Sequence, residues 1–214
     1  GDAEIIDSYI CPQSSADILL SMAKGRAEGG EAAFTWTGPF GSGKSSLVVT
    51  LNALLGKDET LRQKAINAVG QDNADTLLKS FDCDANGKGW VFMPLVGHKG
   101  DFEQALRDKL IEQFGIDDQT ASQHTTLDLI GKIADSEDAG LFIIADEMGK
   151  FLEAGADGAC DVYFFQQLAE YAARSQGRVV FLGILHQSFA EYARRLTREI
   201  RDEWTKIQGR FVDM

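Results

Sequence analysis

The stretch Ala32-Ala33-Phe34-Thr35-Trp36-Thr37-Gly38-Pro39-Phe40-Gly41-Ser42-Gly43-Lys44-Ser45-Ser46 decides how this chain reads. A short apolar, β-branched and aromatic run ends at Gly38, and Gly38-x-x-x-x-Gly43-Lys44-Ser45 follows. Leu47, Val48, Leu51, Leu54 and Leu55 then recur at helical spacing. Strand, glycine loop and helix in that order are the context in which this spacing marks a phosphate site. The glycines let successive backbone N–H groups turn toward phosphate oxygens. A helix opening near Gly43 adds the positive end of its dipole. The expected contacts are Gly38, Pro39, Phe40, Gly41, Ser42, Gly43, Lys44, Ser45 and Ser46. Lys44 would reach the β- and γ-phosphates and the Ser45 hydroxyl would ligate Mg²⁺. An accidental match in an ordinary glycine-rich turn would lack the flanking strand and helix. The stretch predicts a nucleoside triphosphate site.

At 214 residues and 44% hydrophobic content, one well-buried α/β domain fits and two compact domains would be a squeeze. No run of eighteen apolar residues occurs, so no partner membrane is expected. Gly1-Asp2-Ala3-Glu4 lacks the basic-then-apolar profile of a secretion signal. Cys11, Cys83 and Cys160 are far apart and without metal-ligand spacing; they read as reduced thiols of a cytoplasmic protein. The net charge of −12 argues against electrostatic wrapping of nucleic acid by the body of the domain. One segment departs from that average. Arg194, Arg195, Arg198, Arg201, Lys206 and Arg210 face only Glu199, Asp202 and Glu203 in charge count. Two readings stay open for it: a solvated helix face, or a face that meets phosphate, either the next subunit's nucleotide or a nucleic acid.

Around the loop, strands alternate with helices. Pro12 to Gly29 reads as a first helix, with Ala16, Leu19, Leu20 and Ala23 on one face. The loop helix ends at Gly56, and residues 57–81 read as two short polar helices. Asp82-Cys83-Asp84-Ala85-Asn86-Gly87 matches the opening of a calcium loop, but Met93 stands where the bidentate Glu belongs, so it reads as a turn. Trp90 to Val96 is a second strand, followed by helices from Asp101 to Phe114 and near Thr126 to Ala134. Leu141-Phe142-Ile143-Ile144-Ala145 is the apolar run of a strand buried on both faces. After it, a glycine-rich loop is expected before a helix at about 161–175. Arg178 to Leu185 is a fourth strand, and Ser188-x-x-Glu191 opens one long helix carrying Phe189, Tyr192, Leu196 and Ile200. The expected fold is a three-layer α/β parallel sheet with helices on both faces. Residues 1–31 would form a helical segment packing on a core of 32–214, with a helical insertion at about 57–88.

Ligands of open α/β sheets lie beyond the carboxyl ends of the strands. That rim would gather the phosphate loop, Gly97-His98, Asp146-Glu147 and His186-Gln187. An Asp behind an apolar strand can hold the Mg²⁺ shell, here Asp146. Glu147 after it can orient and deprotonate a water for in-line attack on the γ-phosphate. His186 or Gln187 would stand between that water and the phosphate, or else cap the next helix. His98 reads as a loop residue and His124 carries no argument.

On these residues the chain resembles the P-loop ATPases with a catalytic glutamate, and within them the AAA+ branch. Gly38 to Ser45 looks like the Walker A segment and Leu141 to Glu147 like Walker B. His186-Gln187 corresponds to the sensor 1 position. Ile207-Gln208-Gly209-Arg210-Phe211 is similar to the segment that lends an arginine finger to a neighbouring subunit. The resemblance implies ATP with Mg²⁺, catalysis by Glu147, Lys44 and Arg210, and a homo-oligomer joined through residues 194–210. Its P-loop fold also implies a fifth strand and a helical lid after the Arg-Phe segment. The sequence stops at Met214, so both are expected to be missing and turnover to be poor. The chain looks like the ATPase module of large bacterial multidomain proteins, including those of phage-defence and restriction-type systems, with their other domains as partners. A nucleotide-gated binding module with slow hydrolysis and a P-loop kinase are the competing readings. No Asn-Lys-x-Asp or Leu-Ser-Gly-Gly-Gln motif supports a GTPase or a transporter ATPase.

Overall fold

The computed structural model describes residues 1–39, 41–84, 87–158, 161–194 and 196–214. Its centre is a five-stranded, all-parallel sheet in the order β2-β3-β4-β1-β5. The strands are β1 (Ala33–Thr37), β2 (Trp90–Val96), β3 (Gly140–Asp146), β4 (Val179–Leu185) and β5 (Val212–Asp213). β1 runs beside β4 from Ala33 opposite Phe181 to Thr37 opposite Leu185. β2 and β3 are in register from Trp90 opposite Gly140 to Val96 opposite Asp146. This order makes β3, β4 and β1 neighbours, so the segments that leave their carboxyl ends meet in space.

Twelve helices are described: α1 (Asp2–Ser8), α2 (Gln13–Gly29), α3 (Lys44–Leu55), α4 (Glu59–Val69), α5 (Gln71–Ser80), α6 (Phe102–Phe114), α7 (Asp118–Gln123), α8 (Thr126–Ser136), α9 (Met148–Ala156), α10 (Tyr163–Arg174), α11 (Phe189–Ala193) and α12 (Arg198–Gln208). They cover both faces of the sheet, because successive strand residues point to opposite sides. Phe142 and Ile144 join Phe34, Trp36 and Leu182 under α2, α3, α4 and α5. Ile143 and Ala145 join Met93 and Phe181 under α6, α8, α9, α10 and α12. With both faces covered, the inner strands carry continuous apolar runs; every residue of β4 is buried.

Local sequence sets the ends of these elements. Asp58, Asp101, Asp117 and Thr125 each accept a backbone N–H at the start of α4, α6, α7 and α8. Gly115, at φ +60°, closes α6 in the left-handed conformation. Arg62 of α4 is buried and donates to four carbonyls: Leu54 (3.0 Å), Gly56 (2.6 Å), Asp84 (2.5 Å) and Lys88 (3.0 Å). One guanidinium thus ties the end of α3 to the turn before β2.

Four expectations are corrected. Residues 148–156 form α9 rather than a glycine-rich loop: Met148, Phe151 and Leu152 bury one side of it. Gly149 lets Tyr192 come close, since a Cβ there would lie 2.0 Å from the tyrosine oxygen. The single long helix after β4 is two, because Thr197 takes an extended conformation (φ −63°, ψ 161°) and starts α12 afresh. Of the expected capping box, the structure shows Ser188 accepting the Glu191 N–H at 3.3 Å. A fifth strand is present, held beside β1 as the Thr35 and Thr37 hydroxyls donate to Asp213 Oδ1 at 2.8 and 2.7 Å. Pro12 stands at the N-cap of α2 rather than within it.

Candidate functional site

Two glycines shape the chain between β1 and α3. Gly41 and Gly43 sit at φ +76° and +82°, conformations that side chains with a Cβ rarely adopt. Gly43 is also the N-cap of α3, so the free N–H groups of the helix's first turn open into the loop. Gly38 fixes the start of the turn by donating its N–H to Leu185 O of β4 at 3.1 Å. Lys44 folds back inside: Nζ donates to Gly38 O (2.5 Å), Pro39 O (2.7 Å) and Ser42 Oγ (2.9 Å). Burial pushes its ammonium pKa down, and the charge of Asp146 opposes that shift. A cation resting on neutral carbonyls is a cation an anionic ligand can recruit.

The cleft above this loop has a volume of about 290 Å³ and is lined by residues Gly41 to Ser46 together with Asp146 and His186. Segments after β1, β3 and β4 therefore converge as expected. Gly38 and Pro39 contribute through the carbonyls that hold Lys44, and Phe40 lies outside the described residues. The Ser45 hydroxyl makes no hydrogen bond among the described residues. Asp146 Oδ1 accepts the Glu147 N–H at 2.8 Å, leaving its other oxygen available. Among the described residues no cluster of three His, Cys, Asp or Glu side chains forms a metal site. A hard cation here would thus need ligand oxygens beyond Ser45 and Asp146.

Glu147 occupies the left-handed region at φ +53° and is the N-cap of α9. Its carboxylate accepts a hydrogen bond from Lys150 Nζ, one helical turn on, and its Oε1 lies 3.8 Å from His186 Nε2. The Lys150 hydrogen bond, ahead of the two positive charges, holds the Glu147 pKa below the usual carboxylate range. Gly97, after β2, supports this corner closely. Its N–H donates to Asp146 O at 2.7 Å, and a Cβ there would lie 2.0 Å from Glu147 O. The sequence placed Gly97 on this rim but gave no sign of its contact with Glu147, and nothing in the spacing pointed to Lys150 or α9.

His186 lines this cleft, and Gln187 lines a second one of about 530 Å³. His98 turns away from both and packs edge-on against Phe151 at 5.0 Å. Arg210 is half-exposed and ion-paired to Glu170 of α10 at 2.8 Å; it does not line the 290 Å³ cleft. Of the arginine-rich segment, Arg195 lies outside the described residues. Cys160 does too, while Cys11 and Cys83 are free thiols and burial raises Cys83 to about 11. No described helix is long and apolar enough to cross a membrane.

The architecture matches known structures. The chain superposes on the ORC2 protein of Aeropyrum pernix in its ADPNP–ADP complexes with a TM-score of 0.54 and 14% identity, over 98% of this chain and 49% of that one. The ADP form of the same protein (TM-score 0.49, 16% identity, 94% and 50% coverage) and Cdc6p from Pyrobaculum aerophilum (0.48, 14%, 98% and 48%) are also similar. No protein-family model matches the chain, and no curated protein resembles it at a significant level. At such identity the likeness is one of fold. This chain shares the parallel α/β fold of the part of the Aeropyrum pernix ORC2 protein on which it superposes. It spans about half the length of the structures it matches.

Proposed function

We propose that the chain is an ATP-binding and ATP-hydrolysing module of AAA+ type. The observation that carries this is the convergence, in one cleft, of a glycine loop at a helix N-terminus, a lysine resting on that loop's carbonyls, and the Asp146-Glu147 pair. Backbone N–H groups of residues 41–46 and Lys44 hold the β- and γ-phosphates. Ser45 and Asp146 offer hard oxygen ligands that fit Mg²⁺, which when bound supplies charge neutralisation on the phosphate oxygens. Glu147, ionised at neutral pH, takes a proton from a water aligned with the γ-phosphorus. As the water oxygen bonds to phosphorus, the bond to the β–γ bridging oxygen breaks, giving ADP and phosphate. His186, beside both Glu147 and the loop, positions that water.

Arg210 would complete the site from a second copy of this chain, as its resemblance to a finger segment suggests, once released from Glu170. Such an assembly would use the 194–210 segment. The wider setting proposed, a bacterial multidomain protein of a phage-defence or DNA-associated system, rests on the resemblance of the two Walker segments. A second reading has its own support: Lys150 and His186 engage the Glu147 carboxylate. That favours a nucleotide-gated module with slow hydrolysis over a fast motor.

ATP binding and phosphate release, measured on the same samples of wild type and Glu147→Gln, test the proposal. The expected result is binding in both and turnover in the wild type alone. Equal turnover in the two would remove Glu147 as the base.

A further inference from the structure

Glu147 stands in the left-handed region, a conformation that a residue with a Cβ keeps only where its surroundings hold it. Three close approaches hold residues 147–149. Gly97 meets the Glu147 carbonyl, and Met148 lies over Gly183 of β4, where a Cβ would come within 2.4 Å of its Sδ. The third is Tyr192 of α11, whose hydroxyl rests on Gly149 of α9. A Cβ at Gly149 would lie 2.0 Å from that oxygen and 2.4 Å from Cζ. Tyr192 also reaches the other wall of the nucleotide cleft. Its backbone N–H donates to Ser188 O at 3.3 Å, two residues beyond His186. Burial, then the charge of Glu153, raises the pKa of its hydroxyl, and hydrogen bonding by the backbone N–H groups of His186 and Gln187 works against that rise. Tyr192 is 8% exposed, and its ring packs against Trp204 of α12 with centroids 6.1 Å apart, so the phenol has little room to swing away.

One buried hydroxyl thus touches both segments that carry the side chains flanking the attacking water, Glu147 on one and His186 on the other. We propose that Tyr192 is a positioning residue: its hydroxyl holds the first turn of α9 against the segment after β4 and so sets Glu147 relative to His186. Tyr192 does not line the nucleotide cleft, and it acts through Glu147 rather than on the nucleotide. The inference rests on the reading of Glu147 as the base.

Turnover and ATP affinity, measured on wild type, Tyr192→Phe, Gly149→Ala, Tyr171→Phe and Glu147→Gln, give the test, with a thermal scan to certify the fold of each. Tyr192→Phe removes the hydroxyl and keeps the ring. It is expected to lower kcat by about tenfold to a hundredfold, the order set by a displacement of roughly 1 Å at the reacting groups, with ATP affinity within about threefold of wild type. Gly149→Ala forces the same hydroxyl away, is expected to give the same split, and decides the matter if Tyr192→Phe does not fold. Tyr171→Phe is the control for a merely structural loss. Its hydroxyl rests on Gly131 of α8 in the same manner, a Cβ there lying 2.1 Å away, but Tyr171 does not line the cleft; its kcat stays within about twofold of wild type. Wild-type kcat in Tyr192→Phe beside an inactive Glu147→Gln overturns the inference and leaves Glu147 as the base. So does a loss of affinity in step with kcat, an equal loss in Tyr171→Phe, or loss of the fold in both Tyr192→Phe and Gly149→Ala. Equal turnover in wild type and Glu147→Gln, at any level, removes the base itself and this inference with it.

Discussion

Arg62→Met isolates the staple that holds the far end of the loop helix. The substitution keeps the aliphatic stem in place and removes every donor. Four carbonyls lose a partner, but not equally. Leu54 O and Gly56 O take buried hydrogen bonds, whereas the contacts with Asp84 O and Lys88 O are partly buried and water can replace them. Leaving a buried acceptor unsatisfied costs ~1–3 kcal/mol, so two such groups set a loss of about 3 kcal/mol. Unfolding entropy near 2.1 cal/mol/K per residue converts this, for a chain of this length, to a fall in Tm of roughly 7 °C. Urea unfolding followed by circular dichroism measures the first quantity and a thermal scan the second. A variant within about 0.5 kcal/mol of wild type, with an unchanged urea slope, would refute the assignment of these four contacts as structural.

Other substitutions probe the site. Gly97→Ala places a methyl group against Glu147 O and must push that residue aside. Turnover is expected to fall at least tenfold with ATP affinity within about threefold of wild type, as binding and single-turnover assays would show; a fully active variant contradicts the close approach. Lys150→Met removes the main cause of the low Glu147 pKa. Since that ion pair favours the carboxylate, its contribution is present at neutral pH and lost as pH falls through the folded-state value. A carboxyl ¹³C titration should therefore show the Glu147 midpoint move up in pH in the variant, and an unmoved midpoint would discount the pair. If a second copy supplies Arg210, specific ATPase activity rises with protein concentration and Arg210→Ala abolishes the rise; activity independent of concentration argues for a self-contained site.

The four longer strands were legible because each is a compact apolar run ending in turn-forming or charged residues. The glycine loop could be read because its spacing does not depend on packing: Gly41 and Gly43 take positive φ values that other residues rarely adopt. β5 was not legible: two residues, Val212 and Asp213, carry no period, and they are held by tertiary hydrogen bonds from Thr35 and Thr37. α9 was hidden by Gly149 and Gly155, which weigh about 1 kcal/mol each against a helix. Burial of Met148, Phe151 and Leu152 against the sheet outweighs that bias. The break before α12 was masked by Tyr192, Leu196 and Ile200, whose four-residue spacing continues across it. At the candidate site, sequence order placed Lys44, Asp146 and Glu147 at the carboxyl ends of β1 and β3, where the structure has them. It left His186 and Gln187 undecided, because adjacent residues after a strand can face different clefts.

Isothermal titration of ATP with Mg²⁺ into the wild type and Lys44→Ala tests the central claim most directly. The account predicts one saturable site per chain in the wild type. Loss of the charge-assisted contacts of Lys44 should weaken affinity by about tenfold to a hundredfold. No binding by the wild type, or equal affinity in the two proteins, would contradict the assignment of the cleft above residues 41–46 as a triphosphate site.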